Sequence, residues 1–187
     1  MGAAAFRAQS ASAEEQEVTS KVFVALRVAV DPSRAFDAFT REIARWWQPD
    51  PLFRITPQGD GELRFEPGVG GRLVTCLADG ETFEIGRISV WEPGKRLVFG
   101  WRQASFSTEQ CTEVEVLFEP AGEETRVSIE HRAWDTLPQR HVARHGFPEH
   151  TTLQRAAAWW RASLVMLREQ LSVKGPMPPN ANVRGQG

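Results

Sequence analysis

The chain has 187 residues, 41% hydrophobic and 25% charged, with a formal net charge of −2. That is the size and balance of one soluble domain with a real core. Near-neutral charge and scattered Lys and Arg leave no electrostatic footprint for nucleic acid or an anionic membrane surface.

Residues 1–18 are mostly Ala, Ser, Glu and Gln and read as a disordered tail. They hold no apolar run long enough for a signal peptide or a membrane span, and Phe6 stands where a myristoylation signal carries Ser or Thr. The expected location is therefore cytoplasmic. In KVFVALRVAV, Val22, Val24, Leu26, Val28 and Val30 alternate, which predicts a strand with one aliphatic face. Asp31 or Ser33 can cap the helix that follows, with Pro32 in its first turn. The apolar spacing carries that helix through Phe36, Phe39 and Ile43 to Trp46 and Trp47, before Pro49 and Pro51 stop it.

Strands follow a loop rich in Pro, Gly and Asp. They are GELRFEP, then RLVTCLA, the Asp79-Gly80 hairpin signal, and TFEIGRISVW. In the last of these Ile88 and Val90 are out of phase with Phe83 and Ile85, so a bulge is expected at Gly86. RLVFGWR places Leu97, Phe99 and Trp101 on one face. Cys111 to Phe118 and Arg126 to His131 close the series, with Val114, Val116, Phe118 and Val127, Ile129, His131 on their inner faces. Strands with one wet face and hairpin-length turns imply an antiparallel meander, and the class α+β.

Pro148 to about Leu171 carries apolar residues at 153, 157, 160, 164, 167 and 171, one stripe of an α-helix roughly 35 Å long. Residues 173–187 read as a second disordered tail, leaving 19–172 as the folded domain. Cys76 and Cys111, both inside predicted strands, read as buried reduced thiols.

Residues 70–101, GGRLVTCLADGETFEIGRISVWEPGKRLVFGW, resemble the SRPBCC (START-like) superfamily. Within it they resemble the branch named after the activator of the heat-shock protein 90 ATPase. Supporting pieces are Pro32-Ser33-Arg34-Ala35-Phe36, Trp46-Trp47, Trp91-Glu92-Pro93, Thr112-Glu113-Val114 and His131-Arg132-Ala133-Trp134. The resemblance implies a helix-grip fold: a curved antiparallel meander sheet wrapped round a long C-terminal helix, with two short helices after the first strand and a cavity between sheet and helix. Relatives bind lipids, hormones or polyketides, some are cyclases or hydrolases, and some assist chaperones. The segment from Thr136 to His150, with three His and two Arg, departs from the pattern in its polarity.

His131 points toward the helix by strand phase. It is either a general base or ligand-orienting group, or a hydrogen-bonded core histidine. His141, His145 and His150 invite a metal reading, but Pro138, Gly146 and Pro148 break any helix there, and Arg140 and Arg144 repel a cation. No metal and no cofactor are expected. Glu84, Glu113, Glu115 and Glu130 fall out of phase with the core and read as solvent-facing, so no carboxylate pair is formed for acid–base work. Candidate cavity walls on the sheet side are Phe99, Trp101, Val116, Ile129 and His131, with Trp46 and Trp47 at one end. On the helix they are Ala157, Trp160 and Leu164.

The expected function is binding of a small hydrophobic ligand in an apolar cavity between sheet and helix. Two alternatives stand beside it: a cyclase- or hydrolase-type enzyme using the same cavity through His131, and a chaperone-regulating interaction module. The expected partner is accordingly a small hydrophobic molecule, with a homodimer or a chaperone as protein partners.

Overall fold

In the computed structural model, residues 20–138 and 140–172 are described. The expected tails fall outside the described residues. The chain runs β1 (Val22–Val28), α1 (Pro32–Arg41), α2 (Ile43–Trp46), β2 (Glu62–Phe65), β3 (Arg72–Cys76), β4 (Thr82–Glu92), β5 (Arg96–Trp101), β6 (Thr112–Ala121) and β7 (Glu124–Arg132). Two single 3₁₀ turns, Trp134–Thr136 and Val142–Arg144, lead to α3 (Glu149–Ser172).

Asp31 caps α1: its carboxylate accepts from the backbone N–H of Ser33 and Arg34 at 2.9 and 3.0 Å. The apolar spacing predicts one helix to Trp47. Instead the chain breaks at Glu42, where φ is −114°, and forms the two short helices that the resemblance implies. Trp47 is already extended, with ψ 134°, as suits the approach to Pro49.

The seven strands form one antiparallel sheet in the order β1-β7-β6-β5-β4-β3-β2. Strands β2 to β7 are the expected meander, and β1 returns to lie beside β7 with Val22 opposite His131. The expected bulge is present. Leu73 faces Gly86 while Val74 faces Glu84, so Ile85 is the extra residue. Gly86 is required there, because a Cβ on it would lie 1.7 Å from the carbonyl oxygen of Gly100 on β5. A second irregularity, between Ile88 and Val90, is not foreseen from the alternation. It turns Trp91 to the concave side, where its ring meets Phe36 edge-on at 5.1 Å.

Helix α3 lies in the concave face and packs chiefly against β1. Its buried face is rotated from the predicted stripe. Thr152, Ala156, Trp159, Trp160, Ser163, Leu164 and Leu167 are buried, whereas Leu153, Ala157 and Leu171 are half-buried flanks. The prediction weighted large apolar residues. Small Thr152, Ala156 and Ser163 instead face inward, where they leave room for the neighbouring rings.

The thiols differ from expectation. Both are free, but Cys76 is half-buried at the end of β3, and Cys111 is exposed just before β6. On the convex face the carboxylates are outward as predicted, and they are paired. Arg132 bridges Glu113, Glu115 and Glu130, while Arg96 reaches Glu115 at 2.5 Å.

Candidate functional site

The inward faces of β5, β6 and β7 continue the phase read from the sequence. Trp101, Thr112 and His131 therefore meet near the end where α3 crosses. His131 is fully buried and both its nitrogens are engaged by side chains. The indole N–H of Trp160 donates to Nδ1 at 3.1 Å. Nδ1 is thus an acceptor, and the proton sits on Nε2, which donates to Thr112 Oγ1 at 2.8 Å. The Thr112 hydroxyl in turn donates to the Trp101 carbonyl at 3.2 Å. Burial holds the imidazole neutral, its pKa pressed down to about 3.

Around this network stands a cluster of aromatic rings. Trp101 meets Trp47 at 5.5 Å, Trp159 at 5.5 Å and Trp160 at 5.9 Å. Trp159 and Trp160 are 4.8 Å apart, and Phe53 stacks on Trp159 at 5.0 Å with 17° between planes. Trp134 lies against His131 at 4.7 Å.

Of the predicted walls, Trp47, Trp101, His131 and Trp160 come together here. Trp46 joins through Trp47 at 6.1 Å. Phe99 lies further along the sheet, against Phe65 at 5.2 Å. Val116, Ile129 and Leu164 are buried in the same core, and Ala157 sits on the helix flank. Sequence reasoning missed Trp159, Phe53, Thr112 and Ser163. Thr112 shares the strand phase of Val114 and could have been found from it. Trp159 lies beside the 153-157-160-164 stripe of α3, so the spacing of that stripe does not include it. Phe53 lies in a loop without periodicity.

Residues 48–60 lie across this cluster. The segment is held at its end by the Thr75 hydroxyl, which donates to the Asp60 carbonyl, and at three further points. Trp159 Nε1–H donates to the Gln48 carbonyl at 2.9 Å, His145 Nε2 lies 2.7 Å from the Leu52 carbonyl, and Ala104 N–H donates to the Arg54 carbonyl at 2.9 Å. Three clefts adjoin it, of about 330, 370 and 410 Å³, and Pro49 lines all three. Trp159 and Phe53 line the second, between the segment and α3, and Trp47 lines the third.

The connection from β7 to α3 is organised by Arg144. Its buried guanidinium donates to the carbonyls of Trp134 and Leu137, each at 2.8 Å, and lies 3.6 Å from Glu149. The late histidines point apart. His141 pairs with Gln110 at 2.9 Å, His145 with Leu52, and His150 with Thr151 at 3.1 Å. Among the described residues no three His, Cys, Asp or Glu converge as metal ligands, and no helix there is long and apolar enough to cross a membrane.

A seven-stranded antiparallel sheet closed round one long C-terminal helix, with a polar thread through an aromatic interior, defines a helix-grip α+β domain of the SRPBCC superfamily. The chain belongs to the family described as activator of Hsp90 ATPase homolog 1-like protein, whose profile matches residues 29–171. No curated protein matches it. Among solved structures it is similar to protein MLL2253 of Mesorhizobium loti, at 18% identity and a TM-score of 0.59, over 83% of this chain and 98% of that one. It is similar also to the Aha1 dimer of Colwellia psychrerythraea, at 17% and 0.54, over 83% and 98%. A third is an Hsp90 activator of Plasmodium falciparum, at 17% and 0.52, over 75% and 87%. At these identities the likeness is one of fold.

Proposed function

We propose that the protein binds a small, flat hydrophobic molecule between the sheet and α3, admitted from the side covered by residues 48–60. The observation that carries this reading is the siting of the clefts. All three lie along that segment, and two reach the aromatic cluster at Trp159, Phe53 and Trp47. Rings of this kind supply large apolar contact area to a guest. Entry requires the segment to lift and a wall ring to turn.

The alternative of catalysis through His131 finds less support. Its Nδ1 lone pair is occupied by Trp160, and burial disfavours the imidazolium that a general base must form. A chaperone partner is the second reading, favoured by the family description and by the activator from Plasmodium falciparum. Edge strand β1 offers Phe23, 52% exposed, as a contact point for such a partner or for a second copy.

The test is titration of the purified protein with bicyclic and tricyclic aromatic probes. Micromolar binding, roughly −8 kcal/mol, should quench Trp fluorescence and raise the melting temperature. A broad panel that leaves both untouched overturns the proposal. Calorimetric binding of a heat-shock protein 90 that is lost in Phe23→Ser would then move the partner reading to first place.

A further inference from the structure

Ion pairing is unevenly spread over this molecule. Arg34 and Arg45 hold Glu42, Arg72 holds Glu66, and Arg96 and Arg132 hold Glu115. The arginines on the outer face of α3 are different. Arg155 and Arg161 are exposed, and neither meets a carboxylate within ion-pair distance among the described residues. Arg155 instead lies over the Phe147 ring at 4.4 Å. Arg168 is equally exposed, but Glu169 stands next to it in the chain. By helical spacing Arg155 and Arg161 flank the exposed Ala158 and Ala162. Arg155, Ala158 and Ala162 also line the helix side of the cleft between α3 and residues 48–53. Asp50 lines the opposite side, where its carboxylate accepts from the Leu52 N–H at 2.8 Å.

The complementary charge is in the same chain, outside the described residues. Residues 14–17 read Glu-Glu-Gln-Glu, and the only basic side chain before them is Arg7. They precede Ser20, whose hydroxyl donates to the Glu149 carboxylate in the first turn of α3. The Ser20 carbonyl accepts from the Trp134 N–H at 3.3 Å. The acidic run therefore joins the fold at the start of the helix that carries the unpaired arginines. From Glu149, Arg155 is about 9 Å and Arg161 about 18 Å along the helix axis. Three extended residues span up to about 10 Å and six up to about 20 Å, so Glu17 and Glu14 are within reach of those side chains.

We infer that this face of α3 is the docking surface for the chain's own acidic run, with Glu14, Glu15 and Glu17 paired to Arg155 and Arg161. A single exposed ion pair is weak. Tethering at Ser20 supplies an effective concentration on the order of millimolar, which an unattached acidic peptide lacks. The run thereby covers the helix side of the cleft beside Trp159 and Phe53, and a ligand entering there competes with it. That consequence rests on the ligand-binding reading above, whereas the docking itself does not.

The experiment records the ¹H–¹⁵N signals of the arginine Nε–H groups in the full chain. The comparison is a variant combining Glu14→Gln, Glu15→Gln and Glu17→Gln, with Arg155→Lys and Arg161→Lys to assign the signals. Neutralising the run should shift Arg155 and Arg161 and leave Arg54 and Arg64 in place. Raising NaCl from about 0.05 to about 0.5 M should shift the same two signals in the wild type and leave the variant nearly unchanged. The neutral probe 2-naphthol should bind the variant about threefold more tightly, since it no longer displaces the run. Unchanged Arg155 and Arg161 signals overturn the inference and leave the ligand-binding reading intact. Shifts that depend on protein concentration mean that the run reaches a second copy, and docking within one chain is overturned. Equal affinity of the two proteins for 2-naphthol overturns the covering of the cleft. If the signals shift as expected and 2-naphthol binds neither protein, the docking stands and the ligand-binding reading is what fails.

Discussion

The indole N–H of Trp160 on α3 and Nδ1 of His131 on β7 are joined across 3.1 Å. This bond ties helix to sheet, and it also fixes where the histidine keeps its proton. Because His131 is pressed down to a pKa of about 3 by burial, against about 6.5 in an unfolded chain, the unfolded state binds the extra proton first. The contribution is complete above the unfolded pKa and is lost as pH falls from about 6.5 toward 3. Between pH 7 and 5.5 the wild-type protein should lose about 1 kcal/mol from this group. Urea unfolding at the two pH values, against His131→Gln, checks it. An equal loss in the variant refutes the assignment.

Gly86 and Gly100 face each other across β4 and β5 but differ in tolerance. A methyl on Gly86 meets the Gly100 carbonyl oxygen at 1.7 Å, and backbone cannot yield that far. A methyl on Gly100 meets Cys111 Sγ at 2.8 Å, and that exposed thiol can rotate away. Gly86→Ala should cost about 3 kcal/mol or more, and Gly100→Ala less than about 1 kcal/mol. Thermal melts of the pair settle the order.

Arg144 donates one nitrogen to two carbonyls in the connection before α3. Lysine lacks the planar fork that sets one nitrogen on both carbonyls and the other beside Glu149. Arg144→Lys should destabilise by about 2 to 4 kcal/mol. Amide exchange should rise chiefly across residues 134–148, measured by hydrogen–deuterium exchange.

Asp31→Ala removes both bonds at the start of α1. About 1 kcal/mol should be lost, and Asp31→Asn should recover most of it. Chemical denaturation of the three proteins measures the difference.

Much of the sheet was legible because strand phase survives from sequence to structure. Leu97, Phe99 and Trp101, and Val127, Ile129 and His131, all face inward as their alternation requires. The Gly86 bulge was legible from a phase slip. The Ile88–Val90 irregularity was not, because nothing in the sequence around Ser89 marks a slip and Trp91 fits either face of the strand. On α3 the stripe erred by about one position, since a helix that nests among large rings turns its small residues inward. The histidine's partners were illegible for a different reason. Trp160 is near His131 only after α3 has been laid in the sheet, and no local pattern encodes that contact.

The pairing of β1 with β7 sets the order in which the molecule can be completed. Lys21 and Glu130, partners at 3.1 Å, are 109 positions apart. During synthesis at about 5 to 20 residues per second, β1 leaves the ribosome roughly 5 to 20 seconds before its strand partner exists. Its helical cover comes later still, because α3 ends at Ser172. Through that interval Val22, Val24 and Val28 have neither a ladder nor a lid. Most of the chain's closing contacts are therefore non-local, a topology that folds in milliseconds to seconds rather than microseconds. A nascent chain arrested before Arg132 should remain protease-sensitive throughout β1, and one extended beyond Ser172 should become resistant in a single step.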